Sequence, residues 1–414
     1  MLRTLRPIVS LLVATALLLA AVGLLNTLIP LRGLGAGFSD LLLGGLTSAY
    51  YAGYLVGTFT MPLLVRRIGH IRAFAFATAC TTCVVLLHVF GAWPWLWLLL
   101  RFMAGVMLVG LYSIIESWLN AQAPGDQRGR VFACYMVVNL CALGLAQQLL
   151  RIQGQPFVLF TVVALLACFA AVPIVVTHLA QPLAQTSPRL NLKRLYKLAP
   201  AAGIGALLSG LAMGAFYGFA PIYAQRLGFG TAAISVYMTA GILGGAALQY
   251  PIGRLSDRFD RRLVLALVSI LASVLAVLVW WVGGREKAAI VVIFLYGGMA
   301  FAVYPIVVAH LVDCLTREEL LAASSTALLV YGAGSALGPL VAGFAIDKGG
   351  PGLLPLWLAL VHAVLALCTL YCYRVVWREN VNRRSFKFML RTTPAAFEML
   401  VRRRRRKNRQ QPTV

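Results

Sequence analysis

The sequence predicts an all-α membrane protein of twelve spans arranged as two six-helix bundles. Three observations lead there: an apolar composition, a train of span-length apolar runs, and a repeat that maps one half of the chain onto the other. Of the 414 residues 61% are hydrophobic and 12% charged, and the mean hydropathy is +0.85. A water-soluble domain needs more polar surface than this composition supplies, so a bilayer is the natural solvent.

Crossing about 30 Å of hydrocarbon at 1.5 Å per residue takes roughly 20 apolar residues. Runs of that length occur at 8–30, 41–65, 71–91, 95–119, 131–150 and 157–178. They resume at 198–223, 231–253, 263–284, 288–312, 320–346 and 353–373. Arg3 and Arg6 ahead of the first run resemble the start of a secretory signal, but the apolar stretch is too long for one, so it is expected to be a retained span. The polar interval 179–197, with Pro182, Pro188, Arg189, Lys193 and Arg194, is expected to link the bundles. The expected division is an N-terminal bundle at 1–178, the linker at 179–197, a C-terminal bundle at 198–378 and a basic tail at 379–414.

The net charge of +24, from 36 Lys and Arg against 12 Asp and Glu, is distributed unevenly. With twelve spans, 29 of the basic residues fall on the side of the termini, 6 on the opposite side, and Arg101 within a span. The positive-inside rule then places both termini in the cytoplasm. The tail run at 402–407 with Arg409 reads as a solvated end or as a contact for anionic lipid headgroups. Nucleic acid is excluded because no aromatic or folded module interleaves with the charges. The eight cysteines lie in or beside apolar runs and read as small packing residues. Cys80 and Cys83 have metal-motif spacing but no second pair, so neither a metal nor another cofactor is expected.

Secondary transporters are commonly built from repeated halves, and this chain has matching landmarks. The loop after the second span of the second half contains Gly253, Arg254, Asp257, Arg258, Arg261 and Arg262; the corresponding loop of the first half contains Arg67 and Gly69. Arg258 and Arg67 are 258 − 67 = 191 apart, and Pro221 and Pro30, which are expected to close the first span of each half, are 221 − 30 = 191 apart.

The segment GRLSDRFDRR resembles the signature loop of the major facilitator superfamily, Gly-x-Leu-x-Asp-Arg-x-Gly-Arg-Arg, and the resemblance covers essentially the whole chain. NTLIPL, RFMAGV, IIES, QYPIGRLSDRF and LLVYGAGSALGP are similar to the YcaD-like group of bacterial inner-membrane transporters. The resemblance implies the superfamily's fold, two bundles related by a pseudo-twofold axis, with this loop as a cytoplasmic gate. Asp260 stands where the pattern has Gly; in the first half Arg66 takes the Asp position and Pro62 the leading Gly position. A carboxylate latch is therefore expected only in the second half, on Asp257 and Arg258.

The same resemblance implies that the first and fourth spans of each half line a central cavity. In the fourth span Arg101, Gly105, Tyr112 and Glu116 fall on one helical stripe. Charges at membrane depth are costly and default to function, the alternative being charges that snorkel to the interface. Arg101 and Glu116 are about 22 Å apart along the helix, too far to pair. Arg101 with Gly105 resembles part of a fourth-span motif linked to proton coupling, although Met107 stands where a second Gly is usual. Further cavity candidates are Asn26, Thr27, Asn139, Gln147, Tyr217, Gln249, Tyr304 and His310. The bland readings are packing or an interfacial belt for the aromatics and a hydrogen-bonded structural role for His310. Asp313 and Asp347, at span ends, are assigned no transport role. Gly332, Gly334, Gly338, Pro339 and Gly343 in the eleventh span are expected to permit close helix packing, with a hinge as the alternative.

The expected function is secondary transport of a small molecule by a monomer, through alternating access. No ATP-binding sequence occurs, and no Ser/His dyad or His-Glu-x-x-His motif appears in the spans, so neither ATP hydrolysis nor an enzyme is expected. Glu116 and His310 offer titratable groups, which makes co- or counter-transport of protons the leading coupling. Efflux of amphipathic organic compounds is favoured over nutrient uptake, with a non-transporting sensor or scaffold as the remaining class.

Overall fold

The computed structural model describes residues 8–123, 128–152, 154–177, 182, 192–315 and 317–375. Most of the expected linker, 183–191, and the basic tail at 379–414 lie outside these residues. Among the described residues the regular structure is helical. In the first half α1 is Val9–Gly35, α2 Asp40–Ile68, α3 His70–Leu87, α4 Pro94–Gln122 and α5 Arg128–Ala146, which runs into a 3₁₀ turn Gln147–Arg151. The sixth span is α6, Pro156–Phe169, extended by the short α7, Val172–Val175. Next come α8, Leu192–Leu198, and α9, Pro200–Arg226; α10 is Thr231–Arg258, α11 Arg261–Val282, α12 Glu286–Cys314, α13 Arg317–Gly349 and α14 Leu353–Val375.

Eleven segments among the described residues are long and apolar enough to cross a membrane. The 29-residue α2 is not among them, because Tyr50, Tyr51, Tyr54, Thr47 and Thr58 lower its hydropathy. It nevertheless runs the length of the bundle, packed on α4 and α13. Its polar side chains have an inward use described below.

Helix ends follow local chemistry. The Ser39 hydroxyl accepts from the Leu42 amide at 3.3 Å and caps α2. The Asp260 carboxylate accepts from the Arg262 amide at 2.8 Å and caps α11. Gly69 has φ = 82°, which lets the chain reverse between α2 and α3 without strain from a side chain. One expectation fails. Pro30 and Pro221 do not close their spans: α1 continues to Gly35 and α9 to Arg226, because neighbouring helices tolerate an internal proline within a bundle. Within the expected linker α8 occupies Leu192–Leu198 and buries Leu195.

The helices carry the repeat further than the motifs do. Starts of α1 and α9 differ by 200 − 9 = 191 and their ends by 226 − 35 = 191; α2 and α10 start 231 − 40 = 191 apart, and α3 and α11 start 261 − 70 = 191 apart. Packing repeats as well. The pairs α1–α5, α2–α4 and α3–α6 in the first half correspond to α9–α13, α10–α12 and α11–α14 in the second. In each half a glycine makes the tightest crossing possible: a Cβ on Gly53 would overlap the Phe102 carbonyl, and one on Gly244 the Phe294 carbonyl. The halves meet through α2 against α13 and through α5 with its 3₁₀ turn against α10, with α9 touching α1 and α2.

Outward faces are apolar, as a hydrocarbon solvent requires. Leu145, Phe169, Val274, Phe344 and Leu367 are exposed there. Trp93 and Trp95 near one helix end and Trp280 and Trp281 near the equivalent end of the other half form an aromatic fringe. All eight cysteines are free thiols.

Candidate functional site

Between the halves lies a cavity of about 140 Å³. Eight tyrosines share its wall: Tyr50, Tyr51, Tyr54, Tyr112 and Tyr135 from the first half, Tyr217, Tyr304 and Tyr331 from the second. Their placement follows from helical spacing. Tyr50, Tyr51 and Tyr54 stand at i, i+1 and i+4 on α2, a single face, and Tyr112 and Glu116 are one turn apart on α4. The rings also brace one another: the Tyr304 and Tyr331 centroids are 4.6 Å apart, and those of Tyr50 and Tyr51 5.1 Å. Asn26, Thr27, Asn139, Gln147 and Ser209 add polar atoms to the wall, and Met213, Met238, Ile242 and Phe301 apolar ones.

Glu116 is the carboxylate of that wall. It is 2% exposed, and the Tyr135 hydroxyl donates to its Oε1 at 2.8 Å. Gln147 is committed elsewhere, since its amide donates to the Gly23 carbonyl at 3.1 Å and its Oε1 accepts from Thr27 at 2.8 Å. By contrast, Asn139 Oδ1 and Ser209 Oγ are buried without a hydrogen-bond partner. A buried polar atom left unpaired is costly, and two in one cavity wall mark where a ligand can bond.

Arg101 does not reach this wall. Its guanidinium lies 4.6 Å from the Tyr50 ring centroid and donates to Asn26 Oδ1 at 3.1 Å, so it stands behind residues that line the cavity. Gln249 is buried on α10 but outside the wall. His310 lies six residues beyond Tyr304 on α12 and sits 3.8 Å from Cys314 Sγ, well along the helix from the cavity. Gly105 packs its Cα against the Tyr50 backbone and lets α2 and α4 close.

The loop between α10 and α11 holds a compact charge cluster. Arg261, 4% exposed, donates from Nε to Asp313 Oδ2 at 2.6 Å, reaches Asp257 Oδ1 at 3.3 Å, and donates from Nη1 to Ser256 Oγ at 2.9 Å. Arg262 pairs with Asp260 at 3.0 Å and sits over the Tyr373 ring. Burial alone would push the Asp260 carboxyl up, but the hydrogen bonds and charge of Arg262 outweigh it and hold the group below its ordinary value. Arg254 lies 4.6 Å from the Tyr250 ring centroid, Gly253 is buried, and Arg258 and Arg67 are exposed at their helix ends. The latch was expected on Asp257 and Arg258, and Asp313 had been given no role. In the structure Arg261 is the hub and Asp313 its shortest and most buried partner, because the end of α12 comes back beside the start of α11.

At the opposite end, polar contacts tie the halves together. Arg226 at the end of α9 pairs with Asp40 at the start of α2 through Nη2–Oδ1 at 2.8 Å and Nη1–Oδ2 at 3.0 Å. Arg151 Nε donates to Ser235 Oγ at 3.1 Å, and Gln148 donates to Thr239 Oγ1 at 2.8 Å. Neither Asp40 nor Arg226 stood out in the sequence, and the repeat gave no signal for them: with 231 − 40 = 191 and 226 − 35 = 191, Asp40 corresponds to Thr231 and Arg226 to Gly35.

Two duplicated helical bundles around a central cavity, with an ion-paired loop at one end, define a membrane transport protein rather than an enzyme. Comparison with known proteins agrees. The family model of the Major Facilitator Superfamily matches residues 11–247 and again 202–407, and the chain belongs to that superfamily. It is 30% identical over 372 residues to the uncharacterized MFS-type transporter YcaD of Salmonella heidelberg (strain SL476), covering 88% of this chain and 95% of that protein. The YcaD protein of Salmonella typhi matches over the same length at the same identity. Among solved structures, nucleoside transporter NupG superposes with a TM-score of 0.75 at 15% identity, covering 88% of this chain and 98% of that one. A D-xylose-proton symporter gives 0.70 at 13% identity, covering 91% and 99%. At such identities these two speak for the fold.

Proposed function

We propose that this chain is a proton-coupled secondary transporter that exports small amphipathic organic compounds by alternating access. What supports coupling is Glu116, a buried carboxylate in the cavity wall whose hydrogen bond from Tyr135 can follow a change of protonation. What supports an amphipathic cargo is a wall of tyrosines with few charges. The ion-paired end around Arg226 and Asp40 is the natural closed side of one state, with the Arg261 loop at the side that opens. The charge asymmetry of the loops supports placing that loop and both termini in the cytoplasm.

The test is flux in proteoliposomes carrying a defined pH gradient. Export reads as substrate movement opposite to the proton gradient, abolished when the gradient is collapsed and at least tenfold slower in Glu116→Gln. Flux down the same direction as protons would make the protein an uptake symporter, and flux indifferent to both the gradient and Glu116→Gln would sink the coupling.

A further inference from the structure

We infer that the cavity is a site for protonated amines: its ligand is an organic ammonium ion with an aromatic or apolar body. The inference rests on the transporter reading and gives its cargo a chemical class. Three independent features of the wall agree on it.

The first is sign. Glu116 puts a carboxylate into the wall, whereas Arg101 stands behind Tyr50 and Asn26 and is outside it. An anion entering the cavity would meet Glu116 without a direct contact to Arg101. The second is the tyrosine lining drawn from both halves, including the close pair Tyr304 and Tyr331. The negative face of an aromatic ring attracts a cation, most strongly where water is excluded. The third is an unmet acceptor. Asn139 Oδ1 is buried without a partner, and Asn139 lies one helical turn from Tyr135, the residue bonded to Glu116. A carboxylate on α4 and an unsatisfied carbonyl oxygen on α5, linked through Tyr135, call for N–H donors. This selects a protonated amine over a quaternary ammonium ion, which has none to give. Ser209 Oγ, buried and unpartnered on the facing half, provides a second bond across the cavity, so an occupied site bridges the two bundles.

The test uses the purified full chain in detergent and three matched probes: 2-phenylethylamine, neutral 2-phenylethanol and anionic 3-phenylpropionate, titrated calorimetrically. The amine is expected to bind at least tenfold more tightly than either control, since a buried charge pair is worth that much or more. Glu116→Gln, which keeps an acceptor for Tyr135, is expected to remove that advantage and bring the amine down to the affinity of the alcohol. Asn139→Leu is expected to weaken the amine severalfold and to leave its N,N,N-trimethyl analogue unaffected. Melting curves on each variant identify any that fail to fold, and Glu116→Asp, which retains the charge, is expected to recover part of the affinity. Equal or tighter binding of the alcohol or the carboxylate overturns the class; so does amine binding unaltered by Glu116→Gln, or no binding of any probe. The transporter reading is judged separately, without ligand, by whether a cysteine placed at Ser209 is labelled from both sides of the membrane.

Discussion

Single residues in this protein divide by how deeply their charge is paired. Arg261 meets two carboxylates, but the pairs are unequal: Asp313 lies at 2.6 Å with its side chain 2% exposed, Asp257 at 3.3 Å with 32% exposed. Removing one partner of a buried pair strands the other charge, at a cost of about 3 kcal/mol, whereas a partly solvated pair contributes below about 1 kcal/mol. Asp313→Asn should therefore lower the melting temperature of the detergent-solubilised protein clearly, and Asp257→Asn only slightly. Equal shifts, or a larger one for Asp257→Asn, would return the weight of the latch to Asp257. The motif in the sequence pointed to Asp257 because it lies inside GRLSDRFDRR; Asp313 is 52 residues beyond Arg261 and reaches it only through the packing of α12 on α11.

Among the helices, the decisive contacts are made by residues with almost no side chain. Gly244 on α10 lies where a Cβ would overlap the Phe294 carbonyl on α12, a rigid backbone atom that cannot step aside. Gly244→Val should split α10 from α12, seen as loss of the monodisperse peak in size-exclusion chromatography, while Gly230→Ala, with open space around it, should leave the profile unchanged. Gly53→Val should reproduce the Gly244 defect, since it crosses Phe102 in the same way. Helix positions were legible because span-length apolar runs have no other stable solution in a bilayer; the α9 run expected at 198–223 is Pro200–Arg226. The cavity was legible only in part. Tyr112, Glu116, Asn26, Asn139, Gln147, Tyr217 and Tyr304 reach the wall, but the Tyr50, Tyr51 and Tyr54 face of α2 and Tyr331 of α13 were missed. Composition cannot report the rotation of a helix about its axis, and a tyrosine in a span reads equally as packing or as an interfacial anchor. Arg101 was chosen for its helical stripe and motif, Gln249 for its polarity and His310 for its titratable ring, and none of these says which way a side chain faces.

The whole molecule is two copies of one packing scheme held shut at one end. The Asp40–Arg226 pair joins the start of α2 to the end of α9 across the two halves. If the halves rock about the cavity, this pair must break each time that end opens, so it sets part of the balance between states. Asp40→Ala should shift the population toward the state open at that end on the order of tenfold, given the cost of stranding one member of such a pair. The measurement is the labelling rate of a cysteine placed at Ser209 by a membrane-impermeant maleimide added from that side. The exchanged pair Asp40→Arg with Arg226→Asp should restore the slow rate. Labelling that is indifferent to Asp40→Ala would show that the other contacts of that end suffice to hold it.

The native thiols make such an experiment unusually clean. Cys80, Cys83, Cys134, Cys141, Cys168, Cys368 and Cys372 lie within helices that cross the bundle, and Cys314 is the last residue of α12. Hydrocarbon around a span gives a water-soluble maleimide no path to a thiol that faces it. Thiols within the spans thus give a quiet background for site-directed labelling, and once Cys314 and Cys372, which lie at or near helix ends, are replaced, movements of the two halves can be followed in a protein that is otherwise unaltered.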